Sequence, residues 1–164
     1  MSDSAARLYE KDFVRWTEQQ SGALREASRF PTNLPLDWEN LAEEIESLGR
    51  SQRRELRSRL MAILVHLLKL EHSPAPDPRQ GWMDTIERER SEIELLLEDS
   101  PSLRREVARM IASGTQRAAR LAAGGLSRHG EKTSDLAVPN YTEEQVLGDW
   151  FPEASPPTLT LPRE

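Results

Sequence analysis

The 164-residue chain contains no cysteine. Disulfides, thiolate catalysis and Cys-type zinc sites are therefore excluded, and the redox compartment is left undecided. Aromatic residues are sparse, and no stretch approaches the ~18 uninterrupted apolar residues of a membrane-spanning helix. The start, Met1-Ser2-Asp3-Ser4-Ala5-Ala6, lacks the basic and apolar regions of a signal peptide. A soluble cytoplasmic protein without a membrane partner is expected. Alternation with period two is missing as well, which argues against a sheet. Positive charge is in deficit. The net charge of −6 disfavours nonspecific attachment to nucleic acid.

What is present suits helices with one apolar and one wet face. Tyr9, Phe13, Trp16, Gln20, Leu24 and Ala27 recur at helical spacing and predict one helix from about Ser4 to Ala27. Phe30 to Pro35 carries two prolines and reads as a connector. Asp37 is placed to cap a second helix, and Glu39, Glu43 and Glu44 favour its positive end. Trp38, Leu41, Ile45 and Leu48 form its predicted buried stripe. At 100° per residue, Ile45, Leu48, Gln52, Leu56, Ile63, Leu67 and Leu70 all stay on one side. That shared phase predicts one long helix of ~35 residues and ~50 Å, bent at Gly49 if glycine's ~1 kcal/mol helix penalty is felt there. A pair of helices broken near Gly49-Arg50-Ser51 is the alternative.

Leu60 to Leu68 is apolar nearly all round and belongs at the centre of a bundle. Pro74, Pro76 and Pro78 end the segment. Trp82, Ile86, Ile93, Leu96 and Leu97 mark a helix over about Gly81–Glu98. Ser100-Pro101 opens another, running to about Leu126 with Leu103, Val107, Met110, Ile111, Ala118, Leu121 and Ala122 inward. Gly114, Ala118, Ala122 and Gly125 lie along its face and permit close helix approach. After a loop, Thr142 and Gln145 form a capping box for a short helix, with Trp150-Phe151-Pro152 placed to pin it. The expected fold is all-α: a bundle of four main helices with a long central helix and a short C-terminal one. Residues 1–153 are expected to form one domain, and 154–164 a proline-rich flexible tail.

Seven pieces in order carry a family pattern. They are Tyr9-Glu10-Lys11-Asp12-Phe13, Leu36-Asp37-Trp38-Glu39-Asn40-Leu41, Glu43-Glu44-Ile45-Glu46-Ser47-Leu48-Gly49-Arg50, His66-Leu67-Leu68-Lys69, Trp82-Met83-Asp84-Thr85-Ile86, Ser100-Pro101-Ser102-Leu103 and Tyr141-Thr142-Glu143-Glu144-Gln145-Val146-Leu147. Together, over about residues 8–153, they resemble the bacterial domain-of-unknown-function 29 family. Leu70-Glu71-His72 departs from the aromatic and amide character expected there, which makes His72 incidental. The resemblance implies an all-helical bacterial protein and transfers no activity.

Four chemical readings remain. Glu43, Glu44 and Glu46 with His66 are ligand types that hold zinc, iron or manganese. No histidine lies three after a glutamate, however, so the di-iron bundle spacing is missing. On a continuous helix Glu44 and His66 are also too far apart to share an ion within one chain. The plainer reading pairs the glutamates with Arg50, Arg53 and Arg54 and leaves His66 as a hydrogen-bonded boundary residue. Acid–base catalysis by Glu44 with Asp37 or Trp38 nearby needs burial that the pattern does not supply. Nucleic-acid binding could use Arg50, Arg53, Arg54, Arg57 and Arg59, or Arg104, Arg105, Arg109, Arg117 and Arg120. Glu55 and Glu106 interrupt both stretches, and arginine serves equally well in intrachain pairs. Thr158-Leu159-Thr160-Leu161 could add as a strand to a partner's sheet, or simply be a loose end. No cofactor is expected. The favoured function is a non-enzymatic interaction or scaffold domain, binding a protein partner or a second copy of itself, with a metal-dependent or acid–base enzyme as the alternative.

Overall fold

The computed structural model describes residues 2–30, 33–131, 133 and 136–153. Among the described residues six α-helices follow one another: α1 (Ser2–Lys11), α2 (Phe13–Ala27), α3 (Trp38–His72), α4 (Arg79–Asp99), α5 (Arg104–Arg128) and α6 (Glu143–Leu147), with a 3-10 turn at Pro101–Leu103. No strand occurs among the described residues. The tail, including Thr158 to Leu161, lies outside them.

The chain divides into two compact units, Met1–Ser58 with Glu92–Val107 and Arg59–Ser91 with Ala108–Glu164. In the first unit, the single N-terminal helix expected from the sequence is two. Asp12 is extended (φ −160°, ψ 91°) and its carboxylate accepts from the Arg15 N–H at 3.0 Å, capping α2. The same carboxylate accepts from the N–H of Ser102 at 2.9 Å and from its hydroxyl at 2.8 Å. One nearly buried side chain thus ties down two chain segments 90 residues apart. The break also turns α2. Its buried residues are Val14, Thr17 and Ser21, not the aromatic stripe. Tyr9 is exposed and Phe13 and Trp16 are half-buried, their rings packed on one another instead.

The first part of α3 departs from expectation in the same sense. Asp37 does cap it, accepting from the Asn40 N–H at 3.2 Å. The helix runs unbroken through Gly49. A Cβ at Gly49 would stand 2.3 Å from Thr17 Oγ1. The glycine is there because α2 crosses α3 at that point, and no bend or end results. Burial follows Ala42, Gly49 and Leu56, while Leu41 (39% exposed) and Leu48 (47% exposed) face out.

Ser100 precedes the 3-10 turn as expected, with Pro101 in its first position. Its hydroxyl does not cap that turn, however. It accepts from the Val14 N–H at 3.2 Å and donates to Gln52 Oε1 at 2.7 Å.

The second unit has the apolar core the sequence predicts. Leu60, Ile63, Leu64, Leu67, Leu68 and Leu70 of α3 are fully buried. Gly114 of α5 opposes Met61 and Leu64, so the small-residue face does allow close approach. Leu121, expected inward, is exposed because it lies at the edge of the buried arc of α5. The capping box of Thr142 and Gln145 forms as predicted. Arg90 holds the following turn, donating to the carbonyls of Val146 (2.9 Å), Gln145 (3.0 Å) and Trp150 (2.7 Å) while its guanidinium lies over Phe151.

Candidate functional site

The acidic cluster sits on the exposed side of α3's first half. Glu46 pairs with Arg25 of α2, and Glu43 with Arg50. Arg25 also lies 3.6 Å from Glu43, and Arg50 lies 3.5 Å from Glu46. The guanidinium of Arg25 holds the Glu46 carboxyl below the usual carboxylate range. Glu43 and Glu46 are therefore brought together by two arginines. Glu44 points about 100° away from Glu43 on the same helix and is exposed.

His66 lies 22 residues after Glu44 on one unbroken helix, about 33 Å of rise. It is half-buried, and its Nδ1–H donates to the Ala62 carbonyl at 2.7 Å. Burial lowers its pKa, and the nearby charges of Lys69 and Arg88 lower it further. Among the described residues no group of three or more His, Asp or Glu is placed to hold a metal ion. His72 Nε2 meets the Ala137 carbonyl at 3.1 Å.

The first arginine stretch is largely used within the fold. Arg53 bonds Glu18 and Glu106, and Arg59 bonds Glu89 at 3.0 Å. The second stretch lies on α5, where Arg117 and Arg120 are exposed and no acidic residue occurs between Val107 and Gly130.

Two surface features of the first unit were not read from the sequence. One is an apolar stripe. Leu41 and Leu48 stand two turns apart on the same face, with half-buried Trp38 and Ile45 beside them. Leu36 (46% exposed) precedes the cap, at the position a hydrophobic staple brings against Leu41. The spacing 38, 41, 45, 48, 52 alternates threes and fours, the pattern by which one helix seats on another. Asp37 and Glu44 flank its exposed edge.

The other is a cleft of about 330 Å³ lined by Tyr9, Glu10, Phe13, Gln52 and Asp99. It exists because the chain breaks at Asp12, which swings the end of α1 against the start of α2. Tyr9 and Phe13 meet edge to face at 5.7 Å. Sequence reasoning missed it because Tyr9 and Phe13 fit a core stripe equally well, and Glu10 and Asp99 belong to no motif. The extra signal available was Asp12 itself, a capping residue inside an otherwise helical run.

No helix among the described residues is long and apolar enough to cross a membrane. No curated protein matches the chain. A crystal structure of an alpha-helical protein of unknown function from Rhodospirillum rubrum ATCC 11170 is similar, with a TM-score of 0.70 and 27% identity over 86% of this chain and 89% of that one. Residues 8–151 match the family described as Domain of unknown function DUF29, and the chain belongs to that family.

Proposed function

We propose that this protein is a non-enzymatic interaction module that seats an amphipathic helix of a partner protein along Leu41, Ile45 and Leu48 of α3. The observation that carries this reading is the exposure of Leu41 and Leu48 on a stripe with heptad spacing. Burying a leucine is worth about 1.5–3 kcal/mol, and a little under half of that remains unused at Leu41 and Leu48. Leu36 widens the stripe at its N-terminal end. The acidic edge of Asp37 and Glu44 gives the surface a sign as well as a shape.

We place the protein in the cytoplasm on the sequence expectation alone. A metal-dependent or acid–base role for Glu43, Glu44, Glu46 and His66 has less support, because arginines already engage Glu43 and Glu46. Nucleic-acid binding is supported only by the exposed arginines of α5.

A photo-crosslinking side chain placed at Leu48 tests the proposal in cells. We expect a discrete adduct that maps to a helical segment of another protein and vanishes with Leu41→Asp. An adduct pattern no different from that of the same probe at exposed Leu121 would overturn it. An adduct to a second copy of this chain, matched by a dimer in light scattering, would replace the partner with a homodimer.

A further inference from the structure

We infer that the cleft between α1, α2, α3 and the end of α4 receives a cationic side chain, lysine or arginine, from the helix that docks on α3. The inference rests on the docking reading and adds the chemistry of the partner.

The cleft lies directly along the stripe. Gln52, which lines it, continues the line of Leu41, Ile45 and Leu48 and stands one turn beyond Leu48. A helix seated on those residues therefore carries its next side chain to the mouth of the cleft. At about 330 Å³ the space is at the small end of ligand pockets, right for one long side chain and too small for a dinucleotide cofactor.

Its walls select for positive charge. Glu10 and Asp99 contribute two exposed carboxylates, and none of the described lining residues is cationic. Asp99 is the last residue of α4, where the C-terminal end of the helix dipole adds negative potential. Tyr9 is 52% exposed and Phe13 half-buried, so ring surface is available to a cation within the ~6 Å reach of a cation–π contact. Gln52 is held in place, since its Oε1 accepts from Ser100. A neutral side chain of the same length would gain only the ring contact. The same sign of charge continues along the stripe at Asp37 and Glu44, so the partner helix is basic along its flank.

The test uses N-acetyl-arginine methylamide and its neutral isostere N-acetyl-citrulline methylamide, titrated into the ¹⁵N-labelled full chain. We expect the arginine probe to shift the amides of Tyr9, Phe13, Gln52 and Asp99 and the indole of Trp16, which packs on Tyr9. Citrulline should bind at least about five-fold more weakly. Glu10→Gln with Asp99→Asn should remove that preference, and Tyr9→Phe should keep it. Equal binding of the two probes, or a preference untouched by Glu10→Gln and Asp99→Asn, would overturn the inference. Arginine selectivity in the cleft without any adduct at Leu48 would mean that the docking proposal had failed and the cation site had not.

Discussion

The two halves of α3 share one helix and one phase but differ in what covers them. In the second half, Leu60, Ile63, Leu64, Leu67, Leu68 and Leu70 are all fully buried. In the first, only Ala42, Gly49 and Leu56 are buried, and the larger Leu41 and Leu48 face out. Close helix crossing explains the difference. Where α2 packs on α3, Gly49 lets the buried side chain of Thr17 approach closely, so small residues carry the crossing. Bulk apolar residues then fall to the edge of that contact. In the first half Ala42 and Gly49 join Leu56 in the core, while Leu41 and Leu48 are surface.

The largest expected effect sharpens this contrast. Leu67→Ala should cost about 2–5 kcal/mol of unfolding free energy in urea, because it opens a cavity in a filled core. Leu48→Ala should stay within about 0.5 kcal/mol, as exposed substitutions do. Equal losses would erase the distinction.

Gly49→Ala comes next. Alanine is the better helix former by ~1 kcal/mol, yet its Cβ would collide with the buried Thr17 hydroxyl. We expect a net loss of about 1–3 kcal/mol, recovered in large part when Thr17→Ala is added. A stabilised single variant would show that the crossing is looser than described.

Asp12→Ala removes the α2 cap and the two bonds to Ser102. A loss of about 1–2 kcal/mol is expected from thermal or urea unfolding, with Tyr9 and Phe13 resonances shifted as the cleft loosens. No change in those resonances would separate Asp12 from the cleft.

The smallest effect belongs to the second half of α3. Burial lowers the His66 pKa, so the unfolded chain takes up a proton at a pH where the folded chain does not. Its contribution to stability is full above the ordinary histidine value of ~6.5 and falls as the pH drops from there toward the lowered one. His66→Gln should flatten the change in stability between pH 7.5 and 5.5 relative to the parent. An identical slope in both would remove His66 as the cause.

The fold was legible where a signal was local or sustained. The capping box at Thr142, the cap at Asp37, the continuity of α3 and the apolar run from Leu60 each follow from a spacing. The surface of the first unit was not legible, for a physical reason. Periodicity locates an apolar stripe on a helix but cannot say whether another helix lies on it. Tyr9 and Leu48 satisfy the same pattern as Leu67, and only tertiary packing separates them. Asp12 was the available signal for the break, but a capping carboxylate within a helical run is also compatible with an ordinary wet residue. Of the acidic cluster, the pairing with arginine was readable, including Arg50 as a partner. The contribution of Arg25 was not, because it comes from another helix.

The measurement that bears most directly on the account is the unfolding free energy of the double variant Leu41→Asp with Leu48→Asp. If these leucines form a docking face, the isolated protein should lose no more than about 1 kcal/mol, since both aspartates remain in water. A loss of the size expected for Leu67→Ala would place them in the core and contradict the account.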